Sequence, residues 1–431
     1  MKKRDTTAYC LDALLQAGAE QAETALYNTE RTELNYENGE ISLIRTTVDT
    51  KLHLAVIKHQ KQGAILLNQV NPQAINQAVE EVMTIAEGAK PDPAHAFAEA
   101  QPAQHFRKGA ATPDLDLMYQ RLKTFTQAVA AEFSRTYLRN IYLQFIKQNR
   151  TFRNSNGVDF TEEKGIYYIS VSFSAQDGET TSSFNFSGYS MLDLSQELLE
   201  GGSLRRLLQN AKQELNPKPL SGKFTGEVIL TPDCLGSFID SLLEISITDS
   251  PLITGTSIFK DQLNRQVTSP LLTLYSRPVS PEIADGYFIT GDGYAAQNST
   301  IIEQGVLKTY LLSLYGSRKT GLPKAVNDGG AYVVAPGKQS LDAMIKGVKR
   351  GILLTRFSGG HPNRNGDFSG VAKNSFYLED GEIKHALTET MIAGNLAALF
   401  RNITAVSRER VNFGYAIYPW VASAGVTISG Q

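Results

Sequence analysis

The stretch from Gly359 to Ile403, GGHPNRNGDFSGVAKNSFYLEDGEIKHALTETMIAGNLAALFRNI, decides the fold. A loop rich in Gly and Asn leads into Ser375-Phe376-Tyr377-Leu378, and Asp380-Gly381 supplies a pair that tolerates the positive φ of a two-residue hairpin turn. Ile383 to Leu387 is then the returning strand. A helix should follow, capped by Thr388 ahead of Met391-Ile392 or by Asn395 ahead of Leu396 to Phe400, a run whose apolar residues share one helical face. This periodicity alone describes a buried hairpin and helix and names no chemistry.

The same hairpin signal recurs at Asn38-Gly39 and at Gln304-Gly305. Three similar tips fit an internal duplication and fit equally the short menu of residues that such turns accept. Before the first tip, Thr6 or Thr7 can cap a helix through Leu15. Strands are expected over 25–37, 41–48, 52–57 and 64–68. Asn71 as cap, Pro72 at the first helical position and Gly88 as stop mark the next helix. Pro91, Pro93, Pro102 and Pro113 make 89–113 an irregular crossing segment. His95 and His105 inside it lack the rigid support a metal ligand needs and read as exposed and inert. A helix from Asp114 to about Ser134 leads to strands over 139–148, 151–153, 165–175 and 180–189, then to a long helix over 194–215 interrupted at Gly201-Gly202. Pro217 and Pro219 place a boundary between an N-terminal domain, 1–216, and a C-terminal domain, 223–431.

Composition narrows the function classes. Of 431 residues, 42% are hydrophobic and 20% charged, which is the profile of a soluble globular protein. With a net charge of −2 and no basic cluster beyond Lys2-Lys3-Arg4, no nucleic-acid footprint is expected. Cys10 and Cys234 are the only cysteines, too few for a disulfide framework or a four-thiolate zinc site. No apolar run approaches the ~18 residues that span a bilayer, and Asp5 and Asp12 interrupt any signal peptide. No membrane association and a cytoplasmic location are the expectations.

NGDFSGVAKNSFYLEDGEI, followed by ETMIAGNL and FRNITAV, resembles the C-terminal signature of the TldD/PmbA family, named as modulators of DNA gyrase and as metallopeptidases. FRNSNGVDF (152–160), GVLKTYLLSLYGSRKTGL (305–322) and DGG (328–330) resemble further family blocks in the same order. The resemblance implies a duplicated α+β architecture of two domains, each a helix-plus-antiparallel-sheet unit, enclosing a cavity. It also implies, for the peptidase members, an HExxxH helix and a later Cys that hold zinc. Counted from the strand 227–230, the first His and Glu fall on Asp240 and Ser241 and the second His on Ile245, and no Cys follows Val411. An isoleucine cannot bind a metal.

Asp240 and Glu244 share one helical face, so a carboxylate site is imaginable, against the plainer reading of a solvated helix side. His361, Asn363, Arg364 and Asp367 form a second constellation, a loop whose donors suit the carbonyls of a peptide. Gly291-Asp292-Gly293 and Asp328-Gly329-Gly330 lack the setting of a phosphate loop and read as turns. The expected protein is thus a PmbA/TldE-like, metal-free subunit that binds no cofactor itself. It joins an HExxxH-bearing TldD-like partner, which carries the zinc, in proteolysis of peptides, with a homodimer left open. The alternatives are a stand-alone peptidase with an atypical site and a non-catalytic modulator of gyrase or of a toxin–antitoxin pair.

Overall fold

The computed structural model describes residues 5–37, 39–388 and 390–430; Lys2-Lys3-Arg4, Asn38 and Glu389 lie outside them. Helix α1 (Thr6–Gln16) is capped by Asp5, whose carboxylate accepts from the backbone of Thr7 and Ala8, so neither threonine is the cap. Three strands follow, β1 (Gln21–Glu37), β2 (Glu40–Lys58) and β3 (Lys61–Leu67), then α2 (Pro72–Gly88) with the expected Asn71 cap. Strand β4 (Gln104–Gly109), helix α3 (Leu115–Glu132) and strands β5 (Thr136–Asn154) and β6 (Asp159–Asp177) complete the first half, with a last strand at Asn185–Met191. The sheet runs in the order β3-β2-β1-β5-β6-β4, antiparallel except for β4, which lies parallel to β6.

Several expected boundaries move for one reason. The segments 41–48 and 52–57 are a single strand, β2, as are 139–148 and 151–153 in β5, because polar residues between them still pair along β1. Propensity breaks where the ladder does not. The expected long helix over 194–215 is instead α4 (Leu204–Ala211) between two short 3₁₀ turns, since Gly202 takes φ +57. The crossing segment is also less irregular than its prolines imply: it contributes β4 and then docks on the second half. There Gln101 bonds the backbone of Gly293 and Ala295, and Asp92 accepts from Tyr315 and Lys319. His95 stacks on Tyr315 at 5.3 Å rather than facing solvent.

The second half opens with the strand Lys223–Leu230 and helix α5 (Pro232–Ser246). Ile417–Ser429 is the central strand of a large sheet and pairs with Lys223–Leu230, Ile403–Asn412 and Thr390–Asn395. In the opening stretch of sequence, Asp367–Lys373 is a strand rather than loop, and so is Thr390–Asn395, whose Met391 is 41% exposed and Ile392 1%. The helix is therefore only Leu396–Arg401, and Asn395 caps it by accepting from Ala398 N; Thr388 does not. The chain is α+β. One hydrophobic cluster joins α3 and β5 (Phe125, Leu143) to α5 and the large sheet (Phe238, Val421). Among the described residues no helix is long and apolar enough to cross a membrane.

The hairpin at Asp380-Gly381 forms as read. Both residues have positive φ, 50° and 78°, and Glu379 pairs with Glu382 across the turn. A Cβ on Gly381 stands 2.9 Å from the Lys346 carbonyl oxygen, so backbone strain and a clash coincide. Gly381→Val is expected to cost roughly 1 kcal/mol or more, read as a lower urea midpoint. An unchanged midpoint means that the turn contributes nothing to stability.

Candidate functional site

Helix α5 organises the site. Its apolar residues Cys234, Leu235, Phe238, Ile239, Leu242 and Leu243 are buried. Three and four residues apart, Ser237, Asp240, Ser241 and Glu244 are left on the opposite side. Two pockets flank that side and share Ser237.

The first, about 280 Å³, lies between the small sheet and α5 and is walled by Tyr168, Phe186, Asp233, Asp240, Tyr415 and Tyr418, among others. Asp233 is held by Ser203 and by Arg206, so its charge is answered inside the protein. Arg356 donates from Nε to Asn185 Oδ1 at 2.7 Å and lies over the Phe186 ring at 3.6 Å. Asp240 is exposed, as the amphipathic reading expects, but into this concave wall rather than into open solvent. Burial by the surrounding wall, and then the charge of Glu244, push its carboxyl pKa up. Glu244 itself is exposed and lines neither pocket.

The second pocket, about 240 Å³, is lined by Ser237, Ser241, Gly359, Gly360, His361 and Pro362 over a floor of Phe238, Phe357 and Phe368. These three rings contact one another at 5.2–5.8 Å. The floor explains two glycines of the quoted stretch: a Cβ on Gly370 meets the Phe357 ring at 2.6 Å, and one on Gly394 meets Phe368 at 2.9 Å. Among the described residues, strand Arg356–Gly359 pairs on one side only, with Asp367–Lys373, and its Ser358 and Gly359 are exposed.

Of the loop residues, His361 reaches the second pocket, whereas Asn363 and Asp367 close the loop on itself. Asn363 Oδ1 accepts from Asn365 N and Asp367 N at 2.9 and 3.0 Å, and the Asp367 carboxylate accepts from Asn363 and Asn395. Those two amides hold its pKa below the usual carboxylate range. Arg364 is exposed. Sequence reasoning missed the aromatic wall, because Tyr168, Phe186 and Tyr415 come from distant strands and loops. Phe413-Gly414-Tyr415 was the one local signal. Among the described residues, no three His, Cys, Asp or Glu side chains converge as a metal site would require.

Residues 221–430 match the family model of the PmbA/TldA metallopeptidase C-terminal domain. The chain is 24% identical to "Metalloprotease PmbA" of Escherichia coli O157:H7 over 442 residues, covering 96% of this chain and 94% of that protein. It is 25% identical to a PmbA homolog of Haemophilus influenzae, covering 94% and 91%. The chain belongs to the TldD/PmbA family. Its fold is that of TldE from Thermococcus kodakarensis, with a TM-score of 0.86 at 20% identity over 99% of this chain and 100% of that one. A Bacteroides thetaiotaomicron protein described as a proposed modulator of DNA gyrase gives a TM-score of 0.85 at 21% identity, covering 99% and 98%. Three of the blocks quoted for the family resemblance border the turn Gly291-Asp292-Gly293, where Leu314 N donates to the Asp292 carboxylate. Asn154 and Asn156 bond the Ala98 carbonyl, Gly293 packs on Phe152, and the Asp328 carboxylate accepts from Gly291 N.

Proposed function

We propose that this chain is the metal-free, PmbA/TldE-like subunit of a cytoplasmic TldD/PmbA-type peptidase, one that holds an extended peptide along α5 while an HExxxH-bearing partner supplies the zinc. The observation that carries this reading is the donor set of α5. At the three positions the family resemblance assigns to zinc chemistry stand Asp240, Ser241 and Ile245, and the Ile245 side chain packs beside Gly366. A catalytic zinc needs about three protein ligands and a base. These residues do not fit it. The groove fits a peptide better: two pockets joined at Ser237 offer separate places for side chains, and the exposed backbone at Ser358 and Gly359 offers hydrogen bonds to an extended chain.

Strand β2 supports contact with a partner chain. From Glu40 to Lys51 it pairs only with β1, so its other edge is free among the described residues, and Ile44 and Val48 are 60% and 71% exposed. A long edge of this kind invites strand pairing unless something covers it. Purified alone and dialysed, the chain is expected to hold no stoichiometric transition metal, and to co-elute with the HExxxH-bearing relative from its own organism in size-exclusion chromatography. Val48→Lys is expected to weaken that co-elution. One tightly bound metal per chain, or no association at any ratio, overturns the proposal.

A further inference from the structure

The pocket beside Asp240 has a construction that the subunit reading does not by itself explain. Its rim exposes large aromatic rings: Phe186 is 46% exposed and Tyr415 43%, with Phe184, 59% exposed, stacked on Phe186 at 6.2 Å. Deeper in, Tyr418 is 5% exposed and packs on α5 where Gly236 leaves room; a Cβ there meets its ring at 2.9 Å. Exposed aromatic area gathered around one concavity is the signature of a surface that a ligand covers.

The charges of the wall show which ligand. Asp233 is answered by Arg206, and Arg356 by Asn185 and by the Phe186 ring, which shows that this wall already accepts one planar cation on an aromatic face. Asp240 remains. Among the described residues it makes no hydrogen bond or ion pair, its nearest charged helix neighbour one turn on is the like-charged Glu244, and Tyr418 and Tyr415 lie close enough to feel its charge. A carboxylate without a counter-ion, facing tyrosine rings, is complementary to an organic cation. The volume, about 280 Å³, lies just below the ~300–1,000 Å³ usual for ligand pockets and suits one side chain or one terminal residue.

We propose that this pocket takes the cationic group of a bound peptide, an ammonium or guanidinium, between Asp240 and the rings of Tyr415 and Tyr418. This rests on the peptide-holding reading and adds a substrate class to it: peptides carrying a positive charge. Such a charge comes from a lysine or arginine side chain or from a free amino terminus.

The test is a titration of the purified chain with fluorescent peptides. One is an oligoalanine blocked at both ends with a single central lysine, and two others carry alanine or glutamate at that place; a fourth is oligoalanine with a free amino terminus. The lysine peptide is expected to bind about ten-fold more tightly than the alanine one, with the glutamate peptide weakest. Asp240→Asn should erase the difference, and Tyr415→Leu should reduce it while thermal unfolding stays unchanged. If the free-terminus peptide gains instead of the lysine peptide, the proposal stands with the terminal ammonium as the ligand. Equal binding of all four peptides overturns the proposal and leaves the peptide-holding reading intact. So does a lysine preference that survives Asp240→Asn. No binding of any peptide overturns both.

Discussion

Mixing this chain, inactive by itself, with the HExxxH-bearing relative from its own organism is expected to confer peptidase activity or to raise it by at least about ten-fold over the relative alone. The ground is division of labour: zinc chemistry needs one set of ligands, whereas an extended peptide needs walls and backbone donors that a second, metal-free subunit can provide. Arg364 separates wall from scaffold. Asn363 is bound to Asp367 and Asp367 to Asn395, so substituting either is expected to open the loop, but Arg364 is exposed and makes no hydrogen bond or ion pair among the described residues. Arg364 follows His361 and Pro362, which line the second pocket, and Arg364→Ala is expected to lower turnover several-fold with co-elution unchanged. Glu244→Gln, on an exposed position outside both pockets, should leave turnover as it was. The assay compares each protein alone, both together, and both with each variant, on an unfolded peptide. Robust cleavage by this chain alone, abolished by Asp240→Ala, replaces the subunit reading with that of an enzyme in its own right.

The parts of this molecule that were legible in its sequence are those governed by neighbours along the chain. Asn71-Pro72, Asn395 and Asp380-Gly381 act through local backbone geometry, and each does in the fold what its residue type dictates. Strand lengths were not legible, because β2 continues through Arg45 to Lys51 by pairing with β1 residues 12 to 24 positions away, such as Asn28 opposite Thr50 and Thr32 opposite Thr46. The site divides the same way. Helical spacing put Asp240 and Glu244 on one face of α5, of which Asp240 lines a pocket and Glu244 does not, and the loop pointed to His361, which lines the other. Which of these residues share a pocket depends on Tyr168, Phe186 and Tyr415, brought together only by the packing of one sheet against the other's helix. Asp367 looked like a binding residue and is a staple, a distinction set by Asn363 and Asn395, twenty-eight residues apart in the case of Asn395.

Stability should fall as pH rises from about 5 to 8.5, and two buried glutamates should account for most of the fall. Glu23 is 5% exposed in β1, and burial, reinforced by Asp292 and opposed by Arg150, pushes its pKa up to about 8. Glu214 is also 5% exposed; burial pushes it to about 7, against the pull of the Asn374 hydrogen bond and of Arg356, and its second oxygen has no partner among the described residues. In the unfolded chain both titrate at the ordinary value of 4.5. Between that value and the folded one, the native state holds protons that the unfolded state has released, so the slope of stability against pH is negative. Below the ordinary value both states are protonated and nothing is lost; above the folded value the whole cost is present. At about 1.4 kcal/mol for each pKa unit, the loss is about 3 kcal/mol for Glu214 and about 5 kcal/mol for Glu23. A glutamine fills the same space and keeps a carbonyl acceptor for Asn374, without a charge to desolvate. Glu214→Gln and Glu23→Gln should thus match the parent in urea midpoint at pH 4, exceed it at pH 8.5, and together flatten the profile between. Variants whose profiles run parallel to the parent's would show that both carboxylates reach water in the folded protein.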